Sequence, residues 1–254
     1  MSRIVPFAND YERVKFFEGV IFVCFLISIT ASGFSFLQIK LSNDLTDIVK
    51  CTFFLSTCAI FILGLFVRIS WLPQAEEPRI KDFYSRAFDA GSTPAQTEGY
   101  YNDTETTHHK KLASQVLENL FFTKVISQKY YDQILPRVIL YFAVWFVMLA
   151  WRGTTLDTLT FVTQLFLSEE ILSKALRVRW LKTRSSQLYD DMFFLISHSP
   201  RVNVLLSNTL EVNTVYERIK AAASVNLPTK IFDKLNSDLS VQWTDIQKTL
   251  GIQP

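Results

Sequence analysis

The feature that most constrains this chain is an uninterrupted run of uncharged residues near its start. Gly19–Ile39 contains 21 residues without a charge, bounded by Glu18 and Lys40. At a rise of about 1.5 Å per residue, a helix of this length crosses the roughly 30 Å hydrocarbon core of a bilayer. A signal peptide would have a shorter apolar region, a basic start and a small-residue cleavage site. The run is therefore predicted to be a membrane span.

Three further apolar runs follow along the chain. Cys51–Val67 has 17 uncharged residues, and the short linker before it predicts an antiparallel hairpin with the first run. The second block is less continuous: Val138–Trp151 has 14 uncharged residues, and Thr158–Ser168 follows a turn-like stretch. Because neither of these two runs reaches about 20 residues, adequate spans must include charged residues. We predict a second helical hairpin with polar ends; the alternative is a buried soluble or re-entrant hairpin.

The distribution of basic residues predicts the orientation of the spans. Lys and Arg concentrate before the first run, between the hairpins and in the tail, whereas the tight hairpin loops carry only Lys40, Lys50 and Arg152. Basic residues accumulate on the cytoplasmic side of a membrane. We therefore expect a multi-pass membrane protein with both termini and the middle segment in the cytoplasm.

The expected fold class is an all-α integral membrane protein with four spans in two transmembrane helical hairpins. Its expected parts are a cytoplasmic N-terminal segment (1–15), hairpin 1 (16–71), a cytoplasmic helical segment (72–133), hairpin 2 (134–176) and a cytoplasmic helical tail (177–254).

The cytoplasmic parts carry helical signals. Pro73 and Pro78 are expected to break the helix that leaves the membrane. Apolar residues at i, i+4 spacing predict an amphipathic helix from about His109 to Ile134, which packs on the tail or on other subunits. In the tail, the predicted helices are Leu210–Val225, Thr229–Leu235 after Pro228, and a last helix capped by Ser240 that runs to Leu250 and stops at Gly251.

The residue chemistry argues against catalysis. The histidines are the adjacent His108 and His109 and the distant His198, and no Cys-His spacing typical of zinc is present. A nucleophile needs a base and an orienting group, and no such set can be traced. We expect no enzyme activity, no cofactor and no metal, and a carrier is also disfavoured. The net charge of +2 gives no reason to expect nucleic-acid binding. Three residues of hairpin 1 are expected to be small buried hydrophobes: Cys24, Cys51 and Cys58.

Polar side chains inside the predicted spans are the first candidate site. In the fourth span they recur at steps of three and four, which places them on one helix face. Such a face turns toward other helices or water, so it serves either tight helix packing or a pore assembled from several subunits. The pore-lining candidates are Asp157, Thr160, Gln164, Ser168, Glu169 and Glu170. In the first two spans milder stripes favour helix packing: Ser28, Ser32, Ser35, Thr52 and Ser56.

A basic cluster just after the fourth span is the second candidate site. Its place indicates positive-inside topology and contact with membrane lipid headgroups, and the alternative is a site for an anionic ligand. The cluster consists of Arg177, Arg179, Lys182 and Arg184.

The layout of two close spans, a cytoplasmic stretch, two more close spans and a helical tail resembles a known family. The features that carry the likeness are the hairpin Gly19–Val67, the stretch from Tyr100–Asp103 to Leu120–Lys124, the hairpin Val138–Leu176, and the tail phrases Leu227–Phe232 and Leu239–Trp243. Together they resemble the SMODS-associated four-transmembrane effector family of bacterial cyclic-nucleotide anti-phage defence.

The resemblance implies an antiviral effector that oligomerises and permeabilises the inner membrane. It implies activation by a cyclic nucleotide that a partner nucleotidyltransferase or cyclase makes. The family supplies no catalytic residues, and no nucleotide-binding motif aligns with this chain. A different class of function remains open: a membrane scaffold whose cytoplasmic helices recruit a partner protein.

Overall fold

The computed structural model describes residues 8–36, 43–91, 107–151, 156, 159–160, 162–163 and 172–252. Within these ranges the chain is helical and has no strand, which confirms the all-α class for this part of the protein. The helices are α1 (Ala8–Phe36), α2 (Asn43–Phe66), α3 (Leu72–Ala87), α4 (His108–Ala150), α5 (Lys174–Ser197), α6 (Val202–Ala223) and α7 (Thr229–Leu250), with a π-helical turn (Val67–Trp71) between α2 and α3.

Three helical stretches are long and apolar enough to cross a membrane: Ala8–Phe34, Asn43–Ala87 and His108–Ala150. The first stretch holds most of the first predicted run, the second holds all of Cys51–Val67, and the third holds Val138–Trp151 except for its last residue. In the second stretch the uncharged part ends at Val67, so α3 lies beyond the apolar segment. Most of the predicted fourth span lies outside the described residues.

The described helices form two compact units. One, here called the membrane unit, contains Tyr11–Leu72 and Asp132–Leu176. The other, here called the bundle, contains Pro73–Tyr131 and Arg177–Pro254, with Met1–Asp10. The chain therefore enters each unit more than once, and α4 contributes its first part to the bundle and its second part to the membrane unit.

In the membrane unit, α1 and α2 pack as an antiparallel pair. The Oγ atoms of Ser28 and Ser56 lie 2.7 Å apart, and the rings of Phe17 and Trp71 stack with centroids 3.8 Å apart. Residue numbers fall along α1 as they rise along the partner, so the two helices run in opposite directions. These contacts show the antiparallel helix pair predicted for hairpin 1. Ser28, Ser32 and Ser56 of the predicted packing stripe are buried, whereas Thr52 is exposed within the chain, and the side chain of Ser35 lies outside the described residues.

The bundle has an apolar core to which α4 contributes most. Leu112, Val116 and Leu120 are fully buried, and they belong to one cluster with Leu181 of α5 and Trp243 of α7. The i, i+4 pattern correctly predicted the helix, and of the two alternatives left open, the structure shows packing on the tail. The helix itself continues beyond Ile134, to Ala150.

Two predicted helix boundaries are wrong. Pro73 and Pro78 do not end the helix that follows α2, since the π turn precedes α3 and both prolines lie inside α3. The tail has one helix where two were predicted: α7 continues through Ser240, because buried Leu239 and Trp243 keep the same apolar face in register. Gly251 ends α7 in a left-handed conformation, as predicted.

The prediction for the cysteines is also wrong. Cys51 is exposed within the chain, and Cys24 and Cys58 are only partly covered. All three thiols are free, and none of them is fully buried within the chain.

Candidate functional site

The predicted pore-lining face is described at one residue only. Thr160 lies in a short helical stretch, is exposed, and donates a hydrogen bond from its hydroxyl to the carbonyl oxygen of Leu156 at 2.9 Å. Asp157, Gln164, Ser168, Glu169 and Glu170 lie outside the described residues. The polar face of the fourth span stays a prediction.

A contact that sequence reasoning missed joins this stretch to α4. The indole Nε1 of Trp145 donates to Thr163 Oγ1 at 3.0 Å, and Thr163 in turn donates to the carbonyl oxygen of Leu159. Because α4 ends at Ala150, the segment that holds Thr163 has turned back alongside it. The bond gives the Trp145 indole and the Thr163 hydroxyl the partners that a hydrocarbon environment would not supply.

The basic cluster after the fourth span divides between two faces of α5. Positions 177 and 184 are seven residues apart and share one face, whereas 179 and 182 share another. Arg177 Nη1 donates to the carbonyl oxygens of Ala223 and Ser224 at 3.5 and 3.3 Å, where α6 ends. A cation suits this place because the last carbonyls of a helix carry partial negative charge.

The other three members of the cluster have separate surroundings. The ammonium of Lys182 lies 5.3 Å from the ring centre of Tyr131, and Arg184 donates to Gln187 Oε1 at 2.8 Å. Arg179 is exposed. The structure therefore does not bring the four residues together into one anion pocket. Arg177 supports packing of the bundle, and Arg179 and Lys182 are left to face solvent or headgroups.

The densest group of charges in the bundle is one that sequence reasoning missed. It joins α3 to α6 and is here called the ionic cluster: Glu76, Arg79, Glu217 and Lys220. Arg79 donates from Nε to Glu76 and from Nη2 to Glu217, each at 2.5 Å, and Lys220 donates to Glu76 at 2.9 Å. Only 8% of the Arg79 side chain is exposed.

The electrostatics of the ionic cluster keep the Glu76 carboxylate charged. Burial alone would raise the pKa of Glu76, but Lys220 and Arg79 outweigh it and lower the pKa to about 2. Each helix supplies an acid and a base three residues apart, so each pair could be read from the sequence. That the two pairs face each other could not be read, because it depends on how α3 packs against α6.

Two neutral polar contacts join α6 to α4 and to α3 in the same bundle. The hydroxyls of Tyr216 and Thr123 lie 2.7 Å apart, and Asn213 Nδ2 donates to the hydroxyl of Tyr84 at 2.8 Å. Burial raises the pKa of Tyr216, so its hydroxyl stays protonated. Polar contacts of this kind specify one arrangement of helices more strictly than apolar packing does.

Comparison of the chain with family models, with curated proteins and with solved structures found no match. Within the described ranges, no group of His, Cys, Asp and Glu side chains is placed to hold a metal ion.

Proposed function

We propose that this protein is an oligomeric inner-membrane effector of anti-phage defence that permeabilises the membrane in response to a cyclic nucleotide. The observation that supports it most is the sparse internal packing of the membrane unit. Only 28%, 22% and 11% of the most apolar windows of the three candidate spans are buried within the chain. Helices this apolar and this open need lipid or further subunits around them.

The division of the chain supports four spans. The bundle takes Pro73–Tyr131 from before hairpin 2 and Arg177–Pro254 from after it. Segments that fold together lie on one side of the bilayer, so the chain between them crosses an even number of times. One crossing would belong to α4, and the proposal gives the return crossing to the part of the chain that follows Ala150. The turn back at Thr163 agrees with this count.

In this proposal the bundle binds the anionic cyclic nucleotide. Arg179 and Lys182 leave cationic groups on the α5 surface, and Tyr131 adds an aromatic ring beside Lys182. Phosphates are bound by such cations and bases by such rings. The bundle is also joined by polar contacts with a defined geometry, which a bound ligand is able to strengthen or weaken.

The proposal is tested by ion flux from liposomes that hold the purified full-length protein. Flux is measured with and without a panel of cyclic di- and oligonucleotides, with orientation and insertion checked by protease protection. Flux that appears with one nucleotide supports a ligand-gated pore and names its messenger. No flux under any condition, with insertion confirmed, rejects the pore.

The pore-lining residues are tested in the same assay. Gln164→Leu, Glu169→Leu and Glu170→Leu together are expected to lower flux at least about tenfold, because a ring of carboxylates concentrates cations at a pore mouth. The matched control replaces two exposed carboxylates of the bundle, Glu77→Leu and Asp245→Leu, and keeps flux. Equal flux from the triple variant and the native protein would show that these three residues do not line the ion pathway.

A scaffold is the second candidate function, and one observation favours it. The bundle exposes large apolar side chains around the junction of α5 and α6: Phe194, Val202 and Val204 are 64%, 51% and 45% exposed. A protein partner would cover such side chains. This function predicts unchanged membrane potential on expression, and loss of partner recovery when all three are replaced by Ser.

A further inference from the structure

Hairpin 1 carries a group of stacked rings at the end where α2 finishes. The ring of Trp71, in the π turn after α2, stacks on Phe17 of α1 with centroids 3.8 Å apart and on Phe66 at 5.8 Å. These three residues are here called the aromatic cluster, and all of them belong to the membrane unit. Tryptophan is enriched where the hydrocarbon of a membrane meets its polar headgroups, because the indole has an apolar body and a polar N–H. The aromatic cluster therefore has the composition of a membrane interface.

A count of residues along both helices places the aromatic cluster at the level of the headgroups. The uncharged run of α2 ends at Val67, and Trp71 follows it by four residues, at most about 6 Å along the helix axis. The uncharged run of α1 begins at Gly19, and Phe17 precedes it by two residues, about 3 Å. The headgroup layer is about 5–7 Å thick on each side of the hydrocarbon core. The two counts agree, so both rings lie within that layer.

Large apolar side chains beside the aromatic cluster are uncovered within the chain. Phe16 is 65% exposed, and its ring lies edge-on to that of Phe17 with centroids 5.3 Å apart. Ile69, in the same π turn as Trp71, is 72% exposed. Exposed apolar side chains at the end of a membrane hairpin are covered by lipid. The surroundings of the aromatic cluster are therefore lipid molecules, whose headgroups carry phosphates.

The cation held against the aromatic cluster is Arg13. Its guanidinium lies over the Trp71 ring, 5.2 Å from the ring centre, and the residue is exposed. The neighbouring acid, Glu12, is paired with Lys15 at 3.1 Å, and within the described residues Arg13 has no ion pair. A guanidinium that uses its face on a ring keeps the N–H groups of its edge, which match two oxygens of a phosphate. Arg13 is thus held at the headgroup level with donors left for an anion.

We propose that Arg13 and Trp71 form a binding site for an anionic phospholipid, here called the lipid site. Arg13 donates to the headgroup phosphate, Trp71 orients the guanidinium, and Phe16 and Ile69 contact the acyl chains. A zwitterionic lipid has the same phosphate, but its own cation competes with Arg13, so the site prefers a lipid with net negative charge. This inference goes beyond the proposed function. It concerns hairpin 1 alone and holds for a pore or a scaffold.

The test uses the full-length protein, labelled with 5-fluorotryptophan, in nanodiscs in which phosphatidylglycerol progressively replaces phosphatidylcholine. The Trp71 resonance is assigned with Trp71→Phe and read by ¹⁹F NMR, because the cation that binds the lipid lies over this ring. We expect a saturable shift of the Trp71 resonance. Arg13→Gln is expected to raise the half-saturating fraction of phosphatidylglycerol by about fivefold, the usual contribution of one basic residue near an anionic surface.

The matched control is Lys15→Gln, which removes an equal charge two residues away. Lys15 is already paired with Glu12, so we expect the half-saturating fraction to stay within about twofold of the native value. The resonance of Trp145, whose indole donates to Thr163, reports that the membrane unit stays intact. Where Arg13→Gln displaces the Trp145 resonance, Arg13→Met, which keeps the apolar stem, replaces it.

A further arm separates a lipid from a free anion. Inorganic phosphate added to nanodiscs of phosphatidylcholine alone is expected to leave the Trp71 resonance in place. The inference is overturned by a native protein without a saturable shift, by equal behaviour of Arg13→Gln and Lys15→Gln, or by a shift that inorganic phosphate reproduces. Ion flux is not a readout here, so failure of the lipid site and failure of the proposed function are distinguishable.

Discussion

At the scale of single residues, the contacts that could be predicted are those that a local pattern specifies. The serines of the first span recur on one face, and that face alone predicts that they pack against another helix. The sequence does not say that Ser28 meets Ser56, because the pairing depends on the length and tilt of both helices. Likewise, the acid–base pair within each helix of the ionic cluster is visible in the sequence. The contact between the two pairs is not, because it depends on how the two helices pack.

The serine contact leads to a stability prediction. Ser56→Ala removes a hydroxyl that lies 2.7 Å from Ser28 Oγ, and we expect a loss of about 0.6–1 kcal/mol, the usual worth of such bonds between membrane helices. Unfolding of the full-length protein by SDS titration measures it. Thr52→Ala, at an exposed position of the same helix, should change stability by less than half as much. Equal effects would show that the Ser28–Ser56 bond contributes nothing specific.

The ionic cluster leads to a pH prediction. The folded pKa of Glu76 is about 2, against 4.5 for a free glutamate, so its contribution is present above pH 4.5 and is lost as the pH falls toward 2. The shift corresponds to at most about 3 kcal/mol. Glu76→Gln should flatten this part of the curve of thermal midpoint against pH. Glu77→Gln, an exposed neighbour paired with Lys81, should leave the curve as it is.

At the scale of elements, α7 shows where a reading of local signals goes wrong. The polar run Asn236–Asp238 and the capping residue Ser240 predict a break, but all three residues of the run are exposed on the outer side of a continuous helix. The apolar face through Ile231, Leu239 and Trp243 is the stronger signal, since its burial stabilises the whole helix.

Trp243 should therefore dominate the stability of the bundle. Its side chain is fully buried, and its ring stacks on Phe121 with centroids 6.2 Å apart. Trp243→Ala is expected to lower the free energy of unfolding by about 3–5 kcal/mol, because it leaves a large cavity. Val241→Ala, at a position 63% exposed in the same helix, should stay within about 0.5 kcal/mol of the native protein. Chemical denaturation measures both variants. If Trp243→Ala and Val241→Ala lower the free energy of unfolding equally, Trp243 is not central to the core.

At the scale of the whole molecule, the two long apolar helices α1 and α2 could be predicted because length and absence of charge are properties of a continuous segment. The assignment of the flanking segments to one bundle could not, since it joins residues more than a hundred positions apart, such as Arg79 and Glu217.

Orientation is the prediction that belongs to this scale. In a chain with Cys24, Cys51 and Cys58 replaced by Ser, a single cysteine at Asp44 should react with a membrane-impermeant maleimide applied to intact cells stripped of their outer membrane. A single cysteine at Asp245 should react only after permeabilisation, because basic residues keep the tail in the cytoplasm. Labelling of the cysteine at 245 in intact cells, and of the cysteine at 44 only after permeabilisation, would show the opposite orientation.

The interleaving of the two units also has a consequence for biosynthesis. Pro73–Tyr131 leaves the ribosome before hairpin 2, yet its partners in the bundle, Arg177–Pro254, follow it. Chains fold from the N-terminal side as they are made, so α3 and the first part of α4 must wait with their apolar faces uncovered. Under the proposed four-span topology, a chain whose second hairpin failed to return across the bilayer would leave α5, α6 and α7 on the wrong side, and α3 and α4 would stay accessible to proteases. In that topology the bundle is completed only when the second hairpin has inserted correctly.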